Sequence, residues 1–212
     1  MTPTHRSRRE VAGLVLAAGG GRRLGGRPKA LLVHRGRPLV EHAVEVLRAA
    51  GCTRVHVVLG AGADQVRRRA RLGGCVLVDN PGWEQGMGSS LRAGLDSLSG
   101  TGARAALVSL VDQPGIGAEA TARVLAAYRD ASSLVAAAYD GVRGHPVLFG
   151  AAHWAGVAAS ATGDRGARAY LKAHQDALTL VECADVAQAY DIDTEEDLRH
   201  LGDPAAPGPG DR

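Results

Sequence analysis

The chain has 212 residues and a formal net charge of +3, because 25 lysines and arginines outnumber 22 aspartates and glutamates. Its hydrophobic content of 45% is sufficient for the core of one α/β domain of ordinary size. No basic stretch interleaved with aromatic residues occurs, which argues against nucleic acid as a partner. The cysteines (Cys52, Cys75 and Cys183) are odd in number and far apart, so we expect no zinc site, no disulfide framework and a reducing, cytoplasmic location.

Predicted strands and helices alternate along the chain. Short apolar runs predict strands at 11–16, 55–59, 75–78, 105–111, 134–138 and 147–149. One-sided apolar periodicity predicts helices at 38–50, 63–71, 118–129 and 194–201, and a further helix capped by Ser89 or Ser90. The alternation predicts an α/β fold of three layers, a mostly parallel sheet flanked by helices. We expect one domain at 10–202, a disordered basic tail at 1–9 and a disordered tail at 203–212.

A loop rich in glycine and arginine follows the first strand. The apolar run at 11–18 is too short to cross a membrane. The glycines at 19–21 allow backbone N–H groups to approach an anion, and Arg23 and Lys29 add full charges. The spacing fits neither GxGxxG nor GxxxxGK[ST], and a flexible loop with incidental charge is the simpler alternative. Lys29 is one of two lysines in an arginine-biased chain, which favours a phosphate site that needs a compact cation.

Carboxylates follow two later segments. Asp112 begins an Asp-Gln-Pro sequence directly after an apolar strand, although an Asx turn would also explain it. Asp191 and Asp193 are two residues apart, so their side chains face the same way on an extended segment. We expect Thr194 to cap the next helix, with Asp197 three residues on, while Asp193 points into the site. Mg²⁺ prefers one or two carboxylates together with substrate phosphates and waters, so Asp112 and Asp193 are the candidate metal ligands.

Taken together, these motifs resemble the nucleotidyltransferases of the molybdenum-cofactor type. The loop is similar to LAAGxSxRMGxxK, with Gly21 at the usual Ser position and Leu24 at the usual Met position. The carboxylate segments resemble the family's DQP and DIDT motifs. Residues 79–91, 143–149 and 163–168 resemble NPxWxxGxxxSL, GxRGHPVLF and GDxGAR. The resemblance extends from about residue 11 to residue 201 and implies a Rossmann-like nucleotidyltransferase fold.

The resemblance also implies roles for particular residues. The residues implied to bind the nucleotide are Ala17, Ala18, Gly19, Gly20, Gly21, Arg23, Lys29, Asp79, Gly86 and Ser90. Those implied to be catalytic are Lys29, Arg23 and Asp112, and those implied to hold Mg²⁺ are Asp112 and Asp193. Those implied to bind the acceptor are Arg143, Gly144, His145, Asp164 and Arg168. Taken alone, Trp83 and His145 are residue types that more often pack in a core than contact a ligand.

The implied reaction is attack by the terminal phosphate of molybdopterin on the α-phosphorus of CTP, with release of pyrophosphate. Residues 16–19 read LAAG, whereas guanylyl-transferring relatives more often read LAGG, which favours CTP. A phosphate monoester is ionised near neutral pH, so the reaction needs no Ser, Cys or His nucleophile. A molybdenum hydroxylase is a possible transient partner, and no membrane is expected. Two alternatives stay open: a related transferase that uses GTP or acts on a sugar or polyol phosphate, and a non-catalytic carrier of the dinucleotide cofactor.

Overall fold

The computed structural model describes residues 10–202, so the expected tails lie outside the described residues. The strands in this range are β1 (Val11–Ala17), β2 (Val33–His34), β3 (Arg37–Pro38), β4 (Val55–Leu59), β5 (Val76–Asp79), β6 (Ala105–Leu110), β7 (Leu134–Tyr139), β8 (Val142–Gly150) and β9 (Thr179–Glu182). The α-helices are α1 (Leu39–Ala50), α2 (Ala63–Arg69), α3 (Met87–Asp96), α4 (Ala118–Ala126), α5 (Trp154–Ser160) and α6 (Arg168–Ala173). Within residues 10–202, no helix has the length and apolarity that crossing a membrane requires.

Seven strands form one sheet in the order β5-β4-β1-β6-β8-β7-β9, and β2 pairs with β3 in a separate ribbon. β1 lies between β4 and β6 and is parallel to both. In this sheet only β8 runs against its neighbours. The carboxyl ends of β1 and β6 therefore lie at the same edge of the sheet, where ligands bind in folds of this type.

The core consists of two clusters of buried side chains, one on each face of the sheet. Along β1, Val15 and Ala17 belong to one cluster, while Leu14 and Leu16 belong to the other. Every residue of β1 is buried, as expected for a strand covered by helices on both faces. α1 packs on the first cluster through Leu47, and α3 packs on the second. The predicted three-layer α/β fold is therefore confirmed.

The β7–β8 hairpin explains the reversed strand. Asp140 and Gly141 form its two-residue connection and have φ angles of 51° and 76°. Positive φ at both positions is typical of the tight turns that join antiparallel strands, and Asp-Gly is their usual sequence. We predicted residues 143–146 as a loop before a strand, which is wrong: they lie within β8. The Asp-Gly pair was the signal that could have revealed the longer strand.

Other elements also differ from the sequence prediction. α3 begins at Met87 with Gly86 as its N-cap, because the Ser89 hydroxyl donates to the Gly86 carbonyl (2.8 Å) instead of capping the helix. The helix predicted at 194–201 is a 3-10 helix that covers only Glu196–Leu201. β9 was not predicted, since it is a four-residue edge strand whose side chains are mostly exposed and whose apolar residues are limited to Leu180 and Val181.

Candidate active site

The glycine loop begins where β1 ends. The amides of Leu24 and Gly26 donate to the Gly21 carbonyl, at 2.8 and 3.0 Å, and fold the loop back on itself. Gly21 has a φ of 56°, and a Cβ atom there would lie 2.1 Å from the Arg27 carbonyl oxygen. Only glycine fits this position without a change in the loop. The serine of the family pattern is therefore incompatible with the loop conformation of this chain.

Lys29 connects the two predicted metal ligands. Its Nζ lies 2.7 Å from Oδ2 of Asp112 and also donates a short hydrogen bond to Oδ1 of Asp193. The Lys29 side chain is only 12% exposed, compared with 19% for Asp112 and 46% for Asp193. Burial alone lowers the pKa of Lys29, but the two carboxylates outweigh this effect, so its pKa is raised and the ammonium stays charged.

Backbone hydrogen bonds bring the Asp193 segment to Asp112. The Ile192 amide donates to the Asp112 carbonyl at 2.9 Å. Oδ2 of Asp197 accepts from the amides of Asp193 (3.0 Å) and Thr194 (2.7 Å) and from the Thr194 hydroxyl (2.8 Å). The expected Thr194 cap is thus reversed, since Asp197 supplies the accepting oxygen. The carboxylate of Asp193 contacts Lys29, a pairing that the sequence analysis did not predict.

This arrangement is a suitable place for a divalent cation. The oxygens of Asp112 and Asp193 converge on one positively charged atom, the Nζ of Lys29. Arg23 lies further out, with Nη1 4.0 Å from Oδ2 of Asp193. Hard oxygen ligands of this type suit Mg²⁺ or Mn²⁺. The residues present therefore fit the metal that the resemblance implies.

A cleft of about 500 Å³ opens beside these residues. The predicted nucleotide-binding, catalytic and metal-binding residues that line it are Ala18, Gly19, Gly20, Gly21, Arg23, Lys29, Gly86, Ser90, Asp112 and Asp193. Asp164 and Arg168, predicted to bind the acceptor, line it too. Trp83 also lines it and packs on the glycine loop, because a Cβ atom at Gly20 would lie 2.9 Å from the indole ring. Trp83 thus contributes to the wall of the cleft, which its residue type alone did not reveal.

Two predicted nucleotide-binding residues lie outside this cleft. Ala17 is the last residue of β1, and it belongs to the buried cluster on the face opposite to Leu16 and Ala18. Asp79 ends the edge strand β5, and its Oδ1 accepts from Arg67 Nη2 at 2.6 Å. The Asp79 side chain is two-thirds exposed (66%). The structure therefore does not bring Ala17 or Asp79 to the site.

The neighbouring Asn80 supports the cleft indirectly. Its Nδ2 donates to the hydroxyls of Ser89 (2.8 Å) and Ser90 (3.0 Å), and its Oδ1 accepts from the Gly82 amide (3.1 Å). The Ser89 hydroxyl also lies 3.0 Å from the Gly82 carbonyl oxygen, so its one hydrogen is shared between the carbonyls of Gly82 and Gly86. Because Ser90 accepts from Asn80, its hydroxyl hydrogen is available to a ligand in the cleft. Asn80 and Ser89 thus hold the start of α3 in place.

A second cleft of about 450 Å³ adjoins the first. All five residues that the resemblance assigns to the acceptor line it: Arg143, Gly144, His145, Asp164 and Arg168. Burial, followed by the charges of Arg168 and Arg143, lowers the pKa of His145 to about 4, so its imidazole is neutral at physiological pH. The Tyr139 hydroxyl donates to the His145 carbonyl at 2.7 Å and fixes this part of β8.

Asp191 lines both clefts, and the sequence prediction omitted it from the site. Gln113 Nε2 donates to Oδ1 of Asp191 at 2.7 Å, which ties the carboxylate to the Asp-Gln-Pro segment. Burial, together with the charges of Asp112 and Asp193, raises the pKa of Asp191. The two-residue spacing between Asp191 and Asp193 was the signal that pointed to both side chains.

Comparisons with known proteins identify the family of this chain. A family model described as the MobA-like NTP transferase domain matches residues 13–178. The nicotine blue oxidoreductase of Paenarthrobacter nicotinovorans is 41% identical over 198 residues, which cover 90% of this chain and 96% of that protein. A molybdenum cofactor guanylyltransferase of Rhodobacter capsulatus is 40% identical over 119 residues, covering 55% of this chain and 58% of that protein.

A solved structure also matches. Rv0371c of Mycobacterium tuberculosis, in complex with manganese, is 26% identical, with a TM-score of 0.71 over 91% of this chain and 97% of that chain. The predicted Rossmann-like fold is thereby confirmed. The range matched by the family model includes the glycine loop, Asp112 and the loop at 163–168, and it ends before Asp193.

Proposed function

Because the chain belongs to the MobA-like NTP transferase family, we propose that it transfers CMP from CTP to the terminal phosphate of a molybdopterin-type acceptor and releases pyrophosphate. The observation that carries this proposal is the meeting of Lys29, Asp112 and Asp193 beside a glycine loop, in a cleft that opens into a second, cationic cleft. The guanylyltransferase relative supports a molybdopterin-type acceptor. The product would be a cytosine dinucleotide cofactor, which a molybdenum hydroxylase would then receive.

The nucleotide phosphates would lie against the glycine loop. The N–H groups of Gly19, Gly20 and Gly21 and the guanidinium of Arg23 supply positive potential for the β- and γ-phosphates. The ammonium of Lys29 would also bind these phosphates when the nucleotide enters the cleft. Asp112 and Asp193 would hold Mg²⁺, which when bound neutralises phosphate charge and aligns the reacting groups.

The acceptor would bind in the second cleft. Arg143 would attract its phosphate, and the neutral imidazole of His145 would offer a hydrogen bond without a further charge. The acceptor phosphate is already ionised near neutral pH, so no side chain has to remove a proton from it. The protein contributes alignment of two polyanions and stabilisation of the charge that develops on pyrophosphate.

The choice of CTP rests on the LAAG sequence at 16–19. Pyrophosphate release with Mg²⁺ and molybdenum-loaded molybdopterin, measured separately with CTP, GTP, ATP and UTP, tests both nucleotide and acceptor. Turnover with CTP alone is the expected result. A preference for GTP would support the proposed transfer reaction but would show that the nucleotide is GTP and not CTP. No release with any of the four would contradict this acceptor, and a panel of sugar and polyol phosphates would follow.

An oxidoreductase is the second candidate, favoured by the 41% identity to nicotine blue oxidoreductase over 96% of that protein. In that case the glycine loop would hold the phosphates of a nucleotide-containing redox cofactor. Asp112 and Asp193 would then have no metal-dependent role. Absorbance at 340 nm, with NADH or NADPH and nicotine blue as the oxidant, distinguishes this activity from pyrophosphate release. We expect no consumption of NADH or NADPH above the rate without protein.

A further inference from the structure

The two clefts meet at Arg168. The cationic side chains that line the first cleft are Arg22, Arg23, Lys29 and Arg168, and those that line the second are Arg143, Arg165 and Arg168. Among the described residues, Arg168 is therefore the cationic side chain that faces both. A nucleotide in the first cleft and an acceptor in the second would come together at this point.

The loop that carries Arg168 is docked tightly on the start of α3. A Cβ atom at Gly86 would lie 2.5 Å from the Gly163 carbonyl carbon, and one at Gly88 would lie 2.8 Å from the carbonyl carbon of Ala161. On the loop itself, a Cβ atom at Gly166 would lie 3.0 Å from Met87 Sδ. These close approaches hold the loop against the wall of the nucleotide cleft. The backbone of Arg168, the first residue of α6, is therefore held in a fixed position.

The guanidinium of Arg168 has no ion-pair partner within the described part of the chain. No carboxylate of residues 10–202 forms a salt bridge with its guanidinium, whereas Lys29 is paired with both Asp112 and Asp193. Arg168 also lowers the pKa of His145, which places its positive charge close to the acceptor side of the junction. A free guanidinium at the junction is suited to phosphate oxygens.

We propose that Arg168 is a catalytic residue that binds the non-bridging oxygens of the α-phosphate during transfer. The inference rests on the proposed nucleotidyl transfer. An oxygen of the acceptor phosphate forms a bond to the α-phosphorus, and the bond from the α-phosphorus to the oxygen bridging to the β-phosphorus breaks. That electron pair leaves with pyrophosphate, and no proton moves. The guanidinium stabilises the negative charge spread over the equatorial oxygens in the transition state.

Steady-state pyrophosphate release would be measured for the wild type and for Arg168→Ala, Arg168→Lys and Arg143→Ala, with the nucleotide that the wild type prefers. We expect Arg168→Ala to lower kcat about 10²- to 10³-fold, as loss of a charge-stabilising donor does elsewhere. Arg168→Lys should retain an intermediate kcat, and added guanidinium ions should restore part of the turnover of Arg168→Ala. Arg143 lines only the acceptor cleft, so Arg143→Ala should mainly raise the KM for the acceptor.

Thermal unfolding and binding of a non-hydrolysable nucleotide analogue would show that each variant is folded and binds the nucleotide. A kcat for Arg168→Ala within about threefold of wild type, with a raised acceptor KM, would reduce Arg168 to acceptor binding and overturn the proposal. A wild-type protein that releases no pyrophosphate with any nucleotide would instead refute the proposed function, and the role of Arg168 would fall with it.

Discussion

The ammonium of Lys29 lies 2.7 Å from Asp112 and also contacts Asp193, although these carboxylates are 83 and 164 residues away in the sequence. One positive charge is thus shared between both candidate metal ligands. A divalent cation bound by Asp112 and Asp193 would therefore compete with Lys29 for the same oxygens. Incoming phosphates would draw Lys29 away and favour binding of the metal together with the nucleotide.

Replacing Lys29 should consequently improve metal binding in the absence of nucleotide. We expect Lys29→Met to bind Mn²⁺ about tenfold more tightly than wild type, a difference of about 1.4 kcal/mol, because the carboxylates lose their internal partner. Titration calorimetry with Mn²⁺ alone measures this directly. Lys172→Met is the matched control, since Lys172 lies in α6 and lines neither cleft. Equal Mn²⁺ affinities for Lys29→Met and wild type would refute the competition.

Asp112 can be tested separately from nucleotide binding. Asp112→Asn should lower turnover about 10²- to 10³-fold, because it removes one charged metal ligand, while CTP still binds measurably. Pyrophosphate release and calorimetric binding of a CTP analogue provide the two readouts. Asp79→Asn is the control: Asp79 pairs with Arg67 outside the cleft, so its loss should leave nucleotide affinity unchanged. Near-normal turnover in Asp112→Asn would contradict the metal assignment.

The backbone conformation of the glycine loop predicts how substitutions there change the free energy of unfolding, whatever the function of the protein. Gly21→Ala should lower the free energy of unfolding by about 1–2 kcal/mol from the left-handed backbone alone, and further because its Cβ would meet the Arg27 carbonyl. Gly19→Ala should cost less than about 0.5 kcal/mol, since no atom lies within 4 Å of a Cβ there. Urea unfolding of both variants measures the difference. Equal losses would mean that the loop is not held in this conformation.

The lowered pKa of His145 predicts that the stability of the folded protein depends on pH. Its pKa is about 4 in the folded protein and 6.5 in an unfolded chain, so the unfolded state binds more protons between these values. The contribution of His145 to stability is therefore complete above about pH 6.5 and is lost as the pH falls towards 4. His42 and His56, whose pKa values are also lowered mainly by burial, act in the same direction.

Urea unfolding between pH 7.5 and 4.5 measures this loss. His145→Gln should show a smaller fall in the free energy of unfolding than wild type over that range, with the remainder due to His42 and His56. Arg143→Ala should raise the pKa of His145 towards its ordinary value, which NMR titration of the imidazole would detect. An unchanged pH slope in His145→Gln would contradict burial of a neutral imidazole.

Several features of the fold and site could be predicted because they depend on nearby residues. The buried β1, the glycine loop after it and the carboxylate at Asp112 are each encoded within a few residues, where apolar runs and glycine conformations act. The β7–β8 hairpin could also have been predicted from the sequence, since Asp140 and Gly141 alone specify its turn. The motif resemblance then placed Arg143, His145 and Arg168 in one group, and the structure brings them to one cleft.

Other features depended on contacts between distant parts of the chain, which local patterns do not encode. The order of the strands places β5 at an edge of the sheet, which turns Asp79 away from the cleft and towards Arg67. The pairing of Lys29 with Asp112 and Asp193 exists only because β6 lies beside β1 and the Ile192 amide bonds to the Asp112 carbonyl. The local sequence determines which chemical groups the candidate site contains. Long-range packing and hydrogen bonding determine which of these groups face one another.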